Sequence, residues 1–140
     1  MKHYWNALFL AALIAVWAPG AQSQTTTPQV SVKIVATHPL AGERGKEVVI
    51  AEVSLPPGSG SMPHRHNANT FVYVLQGQVE MQVKGGPLRS LGPGEVFYES
   101  PTDIHTVSRN PSATVPAKLV VTFIKNTGAA LTTPVVPANQ

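Results

Sequence analysis

Hydrophobic and polar residues alternate along much of the chain beyond residue 30. In the segment 78–84, Val79, Met81 and Val83 alternate with Gln78, Glu80 and Gln82. This alternation predicts a strand with one face in the core and the other in water. Further strands are predicted where apolar or β-branched residues are bounded by turn residues, at 30–37, 47–55, 70–76, 88–91, 95–99, 104–108 and 117–125. No window of useful length shows helical periodicity with caps, so the pattern predicts an all-β protein.

The segment 70–76 differs from its neighbours because it is apolar at both odd and even positions. Such a strand is expected to be covered on both faces. Glycine and proline mark the turns between strands, as in 56–58, 85–87 and 92–94. Short strands divided by frequent turns are typical of a sandwich or a barrel, and periodicity alone does not choose between them.

Composition narrows the class of protein. The 140-residue chain carries a formal net charge of +3, and its basic residues are scattered among acidic ones. Because a nucleic-acid surface would show a basic stripe, no nucleic-acid partner is expected. The chain contains no cysteine, so disulfides and thiolate ligands are excluded. After removal of a leader, this length predicts a single domain.

The first 23 residues have the features of a secretion signal. Lys2 gives a basic start, 7–18 is an apolar run, and 21–23 has the small-residue pattern of a cleavage site. The run is short for a membrane span, although an uncleaved anchor is the alternative interpretation. Cleavage would leave a soluble, exported chain in the periplasm or outside the cell, with no stable membrane span. We expect 24–29 to be a flexible leader and 126–140 an extended tail.

A histidine pair lies at the centre of the chain. His64 and His66 are two residues apart, so on an extended strand they point to the same face, while Arg65 points to the other. Two imidazoles on one face can reach a single ion. Neutral imidazole is the commonest side-chain ligand of several transition metals.

The segment around this pair resembles the first motif of metal-binding cupins, G(X)5HXH(X)3,4E(X)6G. Gly58, His64, His66 and Gly77 match its glycine and histidine positions. Thr70 stands where the family has glutamate.

The segment 94–110 resembles the second cupin motif, G(X)5PXG(X)2H(X)3N. Gly94 and His105 are in register with it. The proline and glycine positions hold Ser100 and Thr102, and the asparagine position holds Arg109, with asparagine one residue later.

The resemblance implies a cupin jelly-roll β-barrel of one domain, covering 30–125. It implies a divalent transition metal, namely Fe, Mn, Ni, Cu or Zn, on His64, His66 and His105. Three imidazoles would leave positions open for water or substrate. The alternative for these histidines is an interior role in which hydrogen bonds satisfy the rings.

Thr70 removes the carboxylate that the family pattern supplies to the metal. Water could fill its place, or Glu99 could supply the carboxylate from the strand that enters the second motif. Acidic residues are mostly exposed, so the sequence favours a solvated strand-end position for Glu99. A site without metal is the remaining alternative.

Other residues near the motifs have weaker assignments. Tyr73 and Tyr98 could line a pocket, and core packing is the favoured alternative for Tyr73. Arg65 is expected to make a surface or interface contact, and Asp103 and Arg109 either support His105 or form an ordinary surface pair. Three phenylalanines are predicted to lie in the core, Phe71, Phe97 and Phe123.

Two functions remain open from the sequence. The first is a metal-dependent cupin enzyme with oxygenase or isomerase-type chemistry on a small organic molecule. The alternative is a non-catalytic cupin that binds a metal or small ligand, and it is metal-free if Thr70 abolishes the site. The resemblance also makes a homodimer possible, through edge strands.

Overall fold

The computed structural model describes residues 29–135, and these form two antiparallel sheets without a helix. The predicted signal at 1–23, most of the leader at 24–29 and the last five residues of the predicted tail lie outside the described residues. Within 29–135 no helix is long and apolar enough to cross a membrane. The strands are β1 (Ser31–Pro39), β2 (Lys46–Leu55), β3 (Gly60–Ser61), β4 (His64–Arg65), β5 (Ala68–Gln76), β6 (Val79–Val83), β7 (Arg89–Leu91), β8 (Val96–Glu99), β9 (His105–Arg109), β10 (Ala117–Asn126) and β11 (Thr133–Pro134).

The first sheet has the strand order β1-β2-β10-β5-β8. The second has the order β11-β4-β9-β6-β7, and β3 also pairs with β9. Neighbours in each sheet are mostly distant in sequence, as in β2 with β10 and β10 with β5. This arrangement is a jelly roll, the fold that the sequence predicts.

The inward faces of the two sheets form one core. In β10, Leu119, Val121 and Phe123 are buried at every second position, as the period of a strand requires. In β6, Val79 and Met81 are buried and Glu80 between them is half-buried, which confirms the predicted one-sided burial of that strand.

The prediction that β5 is covered on both faces is wrong. Thr70, Val72 and Val74 are buried, whereas Phe71 and Tyr73 are 43% and 44% exposed. In the described residues only the inner face of β5 lies against the opposite sheet, so the apolar outer residues remain at the surface.

Gly77 shows why the first motif needs a glycine after β5. Its φ is +74°, a region that residues with a Cβ rarely adopt. A Cβ at this position would also lie 2.5 Å from the carbonyl oxygen of Pro116 and 2.8 Å from Cα of Ala117. The turn from β5 to β6 therefore passes too close to the start of β10 for any side chain.

Candidate metal centre in the barrel

The first histidine of the pair is fixed by its own local backbone. His64 begins β4, directly after Pro63, and its Nδ1 donates a hydrogen bond to the carbonyl oxygen of Met62 at 2.7 Å. Since a carbonyl can only accept, the proton of the neutral ring lies on Nδ1. Nε2 of His64 is therefore left with a free lone pair.

His66 is fixed in the same way by a distant part of the chain. Its Nδ1 donates to the carbonyl oxygen of Leu131 at 2.7 Å. Nε2 of His66 consequently also carries a lone pair, and it lies 3.2 Å from Nε2 of His64. Two neutral rings in this arrangement direct lone pairs at each other, which is unfavourable unless a cation lies beside them.

The sequence predicted one continuous strand through both histidines, and this prediction is wrong. β4 ends at Arg65, and Asn67 has a φ of +50° before β5 begins at Ala68. Asparagine tolerates this left-handed conformation better than most residues. Both rings nevertheless face the same interior space, with centroids 4.7 Å apart.

The third histidine comes from the second motif. His105 opens β9 and pairs with His64 across the two strands. Its ring stacks on Phe97 at 5.7 Å between centroids and 25° between planes. His105 is 3% exposed, and neither ring nitrogen has a hydrogen-bond partner in the described structure. A buried ring with two unsatisfied nitrogens requires a further partner.

The structure thus brings together the three histidines that the sequence singled out. One nitrogen of each of His64, His66 and His105 lies within 4.8 Å of the others, which is compact enough to hold one metal ion. Burial lowers the pKa of His64, which favours the neutral ring that can act as a metal ligand. The unpaired nitrogens and the carbonyl-bound Nδ1 atoms fit the donor set of a divalent transition metal.

Glu99 does not take the solvated position that the sequence favoured. It is 1% exposed at the end of β8. One carboxylate oxygen, Oε2, lies 3.2 Å from Nδ1 of His105, and the other, Oε1, lies 3.8 Å from Nε2 of His66. The prediction is wrong because inward alternation along β8 places Phe97 and Glu99 on the same buried face.

The histidines and Glu99 form one wall of a cavity of about 270 Å³ between the two sheets. No lysine or arginine lines it, and the other polar lining residues in the described structure are two serines and a threonine. The remaining lining residues are apolar and come from both sheets and both ends of the described chain, Val30, Val32, Val53, Leu55, Met62, Pro63, Val72, Met81, Leu119, Val121, Phe123, Leu131 and Pro134. The cavity suits a small, largely apolar molecule.

The aromatic candidates near the motifs divide between core and surface. Tyr73 and Tyr98 are 44% and 48% exposed and do not line the cavity, so the pocket assignment is wrong for both. The core packing favoured for Tyr73 is also wrong. Phe97 and Phe123 are buried as predicted, whereas Phe71 lies at the surface against Tyr98.

Asp103 and Arg109 neither contact His105 nor pair with each other. Asp103 accepts a hydrogen bond from the backbone N–H of Ser100 and stabilises the turn before β9. Arg109 instead pairs with Glu80 at 2.6 Å. Arg65 is half-buried outside the cavity lining and pairs through the backbone with Thr133.

Sequence reasoning missed the contribution of the segment after β10. Leu131 supplies the carbonyl for His66, and Leu131, Thr132 and Pro134 line the cavity. Nothing in the pattern of 126–140 predicts this role, because the segment has little alternation. Its contacts depend on the path by which the chain returns to β4 in the folded protein. These residues lie beyond the predicted end of the barrel at Lys125.

Comparison with solved structures supports this architecture. The DMSP lyase DddQ from Ruegeria pomeroyi is 25% identical, with a TM-score of 0.58 over 75% of this chain and 53% of the lyase. The chain therefore spans about half the length of that lyase. KdgF from a Halomonas species is also 25% identical, with a TM-score of 0.55 over 71% of this chain and 81% of KdgF. A cupin-2 domain from Rhodospirillum rubrum, 17% identical, has a TM-score of 0.59 over 77% of this chain and 66% of its own.

Two further comparisons used the sequence alone. A search of curated proteins gave no match, whereas a family profile did. The sequence profile described as "Cupin domain" matches residues 51–123, just over half of the chain. This range runs from the middle of β2 to near the end of β10 and includes all three clustered histidines. Together with the jelly-roll topology, this match shows that the chain belongs to the cupin domain family.

Proposed function

We propose that this cupin holds a divalent transition metal on His64, His66 and His105 and acts on a small organic molecule in the adjoining cavity. The observation that carries the proposal is the pair of Nε2 atoms 3.2 Å apart, both with their Nδ1 protons committed to backbone carbonyls. Backbone acceptors on the far side of a ring are typical of metal-binding histidines, because they fix the tautomer and orientation.

The chemistry that we propose for this site is of the oxygenase or isomerase type. A bound divalent ion polarises a coordinated oxygen or lowers the pKa of a coordinated water. The three imidazoles would hold the ion while leaving coordination positions open toward the cavity. Iron, manganese, nickel, copper and zinc are all compatible with imidazole ligands. The similarity to DMSP lyase DddQ at 25% identity favours catalysis in a barrel of this kind.

The cavity indicates which molecules to test. The lining residues within 29–135 include no lysine or arginine to pair with several carboxylates or phosphates. A preferred substrate would carry one oxygen donor for the metal and a small apolar body for the cavity. Neutral enols, phenols and diketones meet this description, and compact dicarboxylates do not.

The second candidate function is non-catalytic binding of a metal or small ligand in the same cavity. Thr70 favours it, since the family position for a carboxylate ligand is occupied by a neutral, fully buried hydroxyl. Export remains a prediction from residues 1–23, and with it a periplasmic or extracellular location.

The first test is the metal content of protein purified without a histidine tag, measured by mass spectrometry. The wild type is expected to hold close to one ion per chain, and His64→Ala/His66→Ala to lose it. His38→Ala is the matched control because His38 is exposed on β1. His66→Gln serves if the double variant does not fold by circular dichroism. Absence of metal in reconstituted wild type would overturn the proposal.

The same proteins then separate catalysis from binding. Metal-loaded wild type is mixed with neutral enols, phenols and diketones, and with dicarboxylates of matched size. Oxygen uptake and product formation are followed by electrode and nuclear magnetic resonance. Turnover of neutral compounds that disappears in His66→Gln would support an enzyme. Metal binding without turnover of any compound would favour the non-catalytic alternative.

A further inference from the structure

A buried carboxylate lies beside the histidine cluster without the partners it needs. Oε1 of Glu99 is buried and has no hydrogen-bond partner in the described structure. Oε2 lies 3.2 Å from His105 Nδ1, but the two atoms lack hydrogen-bond geometry, and that nitrogen is also unsatisfied. An ionised carboxylate in this position is costly unless a cation compensates it.

No lysine or arginine among the described lining residues provides that cation, because the lining contains neither. The buried ammonium of Lys125 on β10 is already bound by Glu47 and by the carbonyl oxygen of Ala129. A metal ion in the space shared by Glu99 and the histidines would supply the compensating charge.

Strand pairing relates Glu99 to the position that departs from the cupin motif. Thr70 on β5 and Glu99 on β8 are directly opposite each other in the register of the first sheet. Both side chains are buried, at 0% and 1% exposure, so both point to the interior face. Residues paired in this way have Cβ atoms about 4.5–5.5 Å apart. A carboxylate at either position can reach nearly the same interior point.

We propose that Glu99 supplies the carboxylate ligand that Thr70 lacks, so that the ion is held by three histidines and one carboxylate. This inference rests on the proposed metal site. Oε1 is the coordinating oxygen, because it faces Nε2 of His66, the nitrogen whose lone pair is directed at the ion. The carboxylate therefore comes from β8, whereas the cupin motif places it on the neighbouring strand β5. The ligand set has the same charge as it would have with glutamate at position 70.

A different role for Glu99 makes a distinct prediction. If Glu99 only orients His105 through Nδ1, a carboxylate returned to position 70 does not replace it, because the His105 contact stays lost. If Glu99 binds the ion, the exchange Thr70→Glu/Glu99→Thr restores the ligand set. The exchanged protein therefore separates a ligand from a positioning residue.

The experiment measures Mn²⁺ and Co²⁺ affinity by calorimetric titration in wild type, Glu99→Thr, Glu99→Gln and Thr70→Glu/Glu99→Thr. Glu52→Gln is the matched control, because Glu52 makes an exposed ion pair with Lys118 on the outer face of the sheet. Loss of a group that only hydrogen-bonds a metal-ligating residue lowers the affinity for the metal about 10–100-fold. We expect both Glu99 single variants to lose more than that, and the exchange and the control to bind within about tenfold of wild type.

Two further readouts do not depend on turnover. The visible absorption spectrum of bound Co²⁺ should change in Glu99→Gln and return toward wild type in the exchange. The metal-free Glu99→Gln protein should melt no lower than wild type, because the substitution removes a buried charge without a partner. Wild type that binds no ion would refute the proposed metal site itself.

Other outcomes overturn the inference alone. Wild-type affinity and an unchanged Co²⁺ spectrum in Glu99→Gln would show that the carboxylate is not a ligand. Weak binding in a folded exchange variant would assign Glu99 to the orientation of His105.

Discussion

At the scale of single residues, backbone carbonyls decide which nitrogen of each paired histidine can bind an ion. Met62 holds the Nδ1 proton of His64, and Leu131 holds that of His66. Either ring could adopt the other tautomer in water, but here that tautomer would leave two acceptors in contact. The lone pairs are therefore in place before any ion binds, which reduces the ordering that binding requires.

Another residue, Asn110, fixes the frame of the second motif. It is 1% exposed, and its Nδ2 lies within hydrogen-bond distance of the carbonyl oxygens of Leu55, Pro56 and Val115. Its Oδ1 accepts from the N–H of Ser112. One side chain thus connects the end of β2 with the loop between β9 and β10.

Replacing Asn110 should therefore weaken the fold rather than the metal chemistry. We expect Asn110→Ala to lower the free energy of unfolding by about 3 kcal/mol, because buried carbonyls lose their donor. Asn110→Asp should cost more, since an oxygen would then face those carbonyls. Urea unfolding of the metal-free protein measures both. Asn69→Ala, at a less buried site, should stay within about 1 kcal/mol of wild type, and equal effects at both positions would contradict this account.

The histidine cluster could be predicted from the sequence, whereas a buried Glu99 beside it was only the less favoured alternative. The spacing of His64 and His66 is a local property of a strand, and His105 falls in register with a family motif. The role of Glu99 depends on the pairing of β5 with β8, strands separated by two others in sequence. Because acidic side chains are usually exposed, the residue type predicted a solvated position for Glu99, and this prediction is wrong.

At the scale of elements, the segment after β10 completes the site although it has little regular structure. A turn at Asn126–Ala129 leads to Leu131, and β11 then pairs with β4 through Thr133 and Pro134. This pairing places the Leu131 carbonyl at His66 and adds a wall to the cavity. Strand positions were predicted well because alternation is local, but this contact joins residues 65 positions apart.

Removing residues 131–140 should consequently weaken metal binding and leave the barrel folded. We expect affinity to fall about 10–100-fold, because His66 loses the acceptor that fixes its tautomer. Calorimetric titration measures the affinity, and circular dichroism reports the fold. Asn67→Gly is the comparison variant, since it removes a side-chain contact with Thr133, allows the positive φ of this position and keeps the Leu131 carbonyl. Wild-type affinity in the truncated protein would show that this carbonyl has no part in the site.

At the scale of the whole molecule, polar interactions join the start of β2 to the end of β10, while the histidine cluster lies inside the barrel. Lys125 continues the inward alternation of β10 and is only 4% exposed. Its ammonium donates to Glu47 on β2 and to the carbonyl oxygen of Ala129. These contacts join the two longest strands to the turn that leads to Leu131. The homodimer through edge strands stays a prediction, and the edges of the first sheet are β1 and β8.

The ion pair between Lys125 and Glu47 makes the stability of the fold depend on pH. The hydrogen bond from Lys125 holds the pKa of Glu47 below its ordinary value of 4.5, helped by the N–H of Gly128 and opposed by burial. A carboxyl whose pKa is lower in the folded state stabilises the fold above the unfolded pKa. That contribution is lost as pH falls through the folded pKa. Glu47→Gln should therefore be less stable than wild type at neutral pH and approach it in acid.

Urea unfolding of metal-free wild type and Glu47→Gln, from neutral pH to well below 4.5, tests this dependence. The stability difference should be constant at neutral pH and shrink in acid, because protonated Glu47 resembles glutamine in charge. Glu52→Gln should show little difference at any pH, since its ion pair with Lys118 is 42% and 38% exposed and water already solvates both charges. A Glu47 difference that persists in acid would mean that the ion pair is not its source, and that the buried Lys125 depends on its carbonyl acceptors instead.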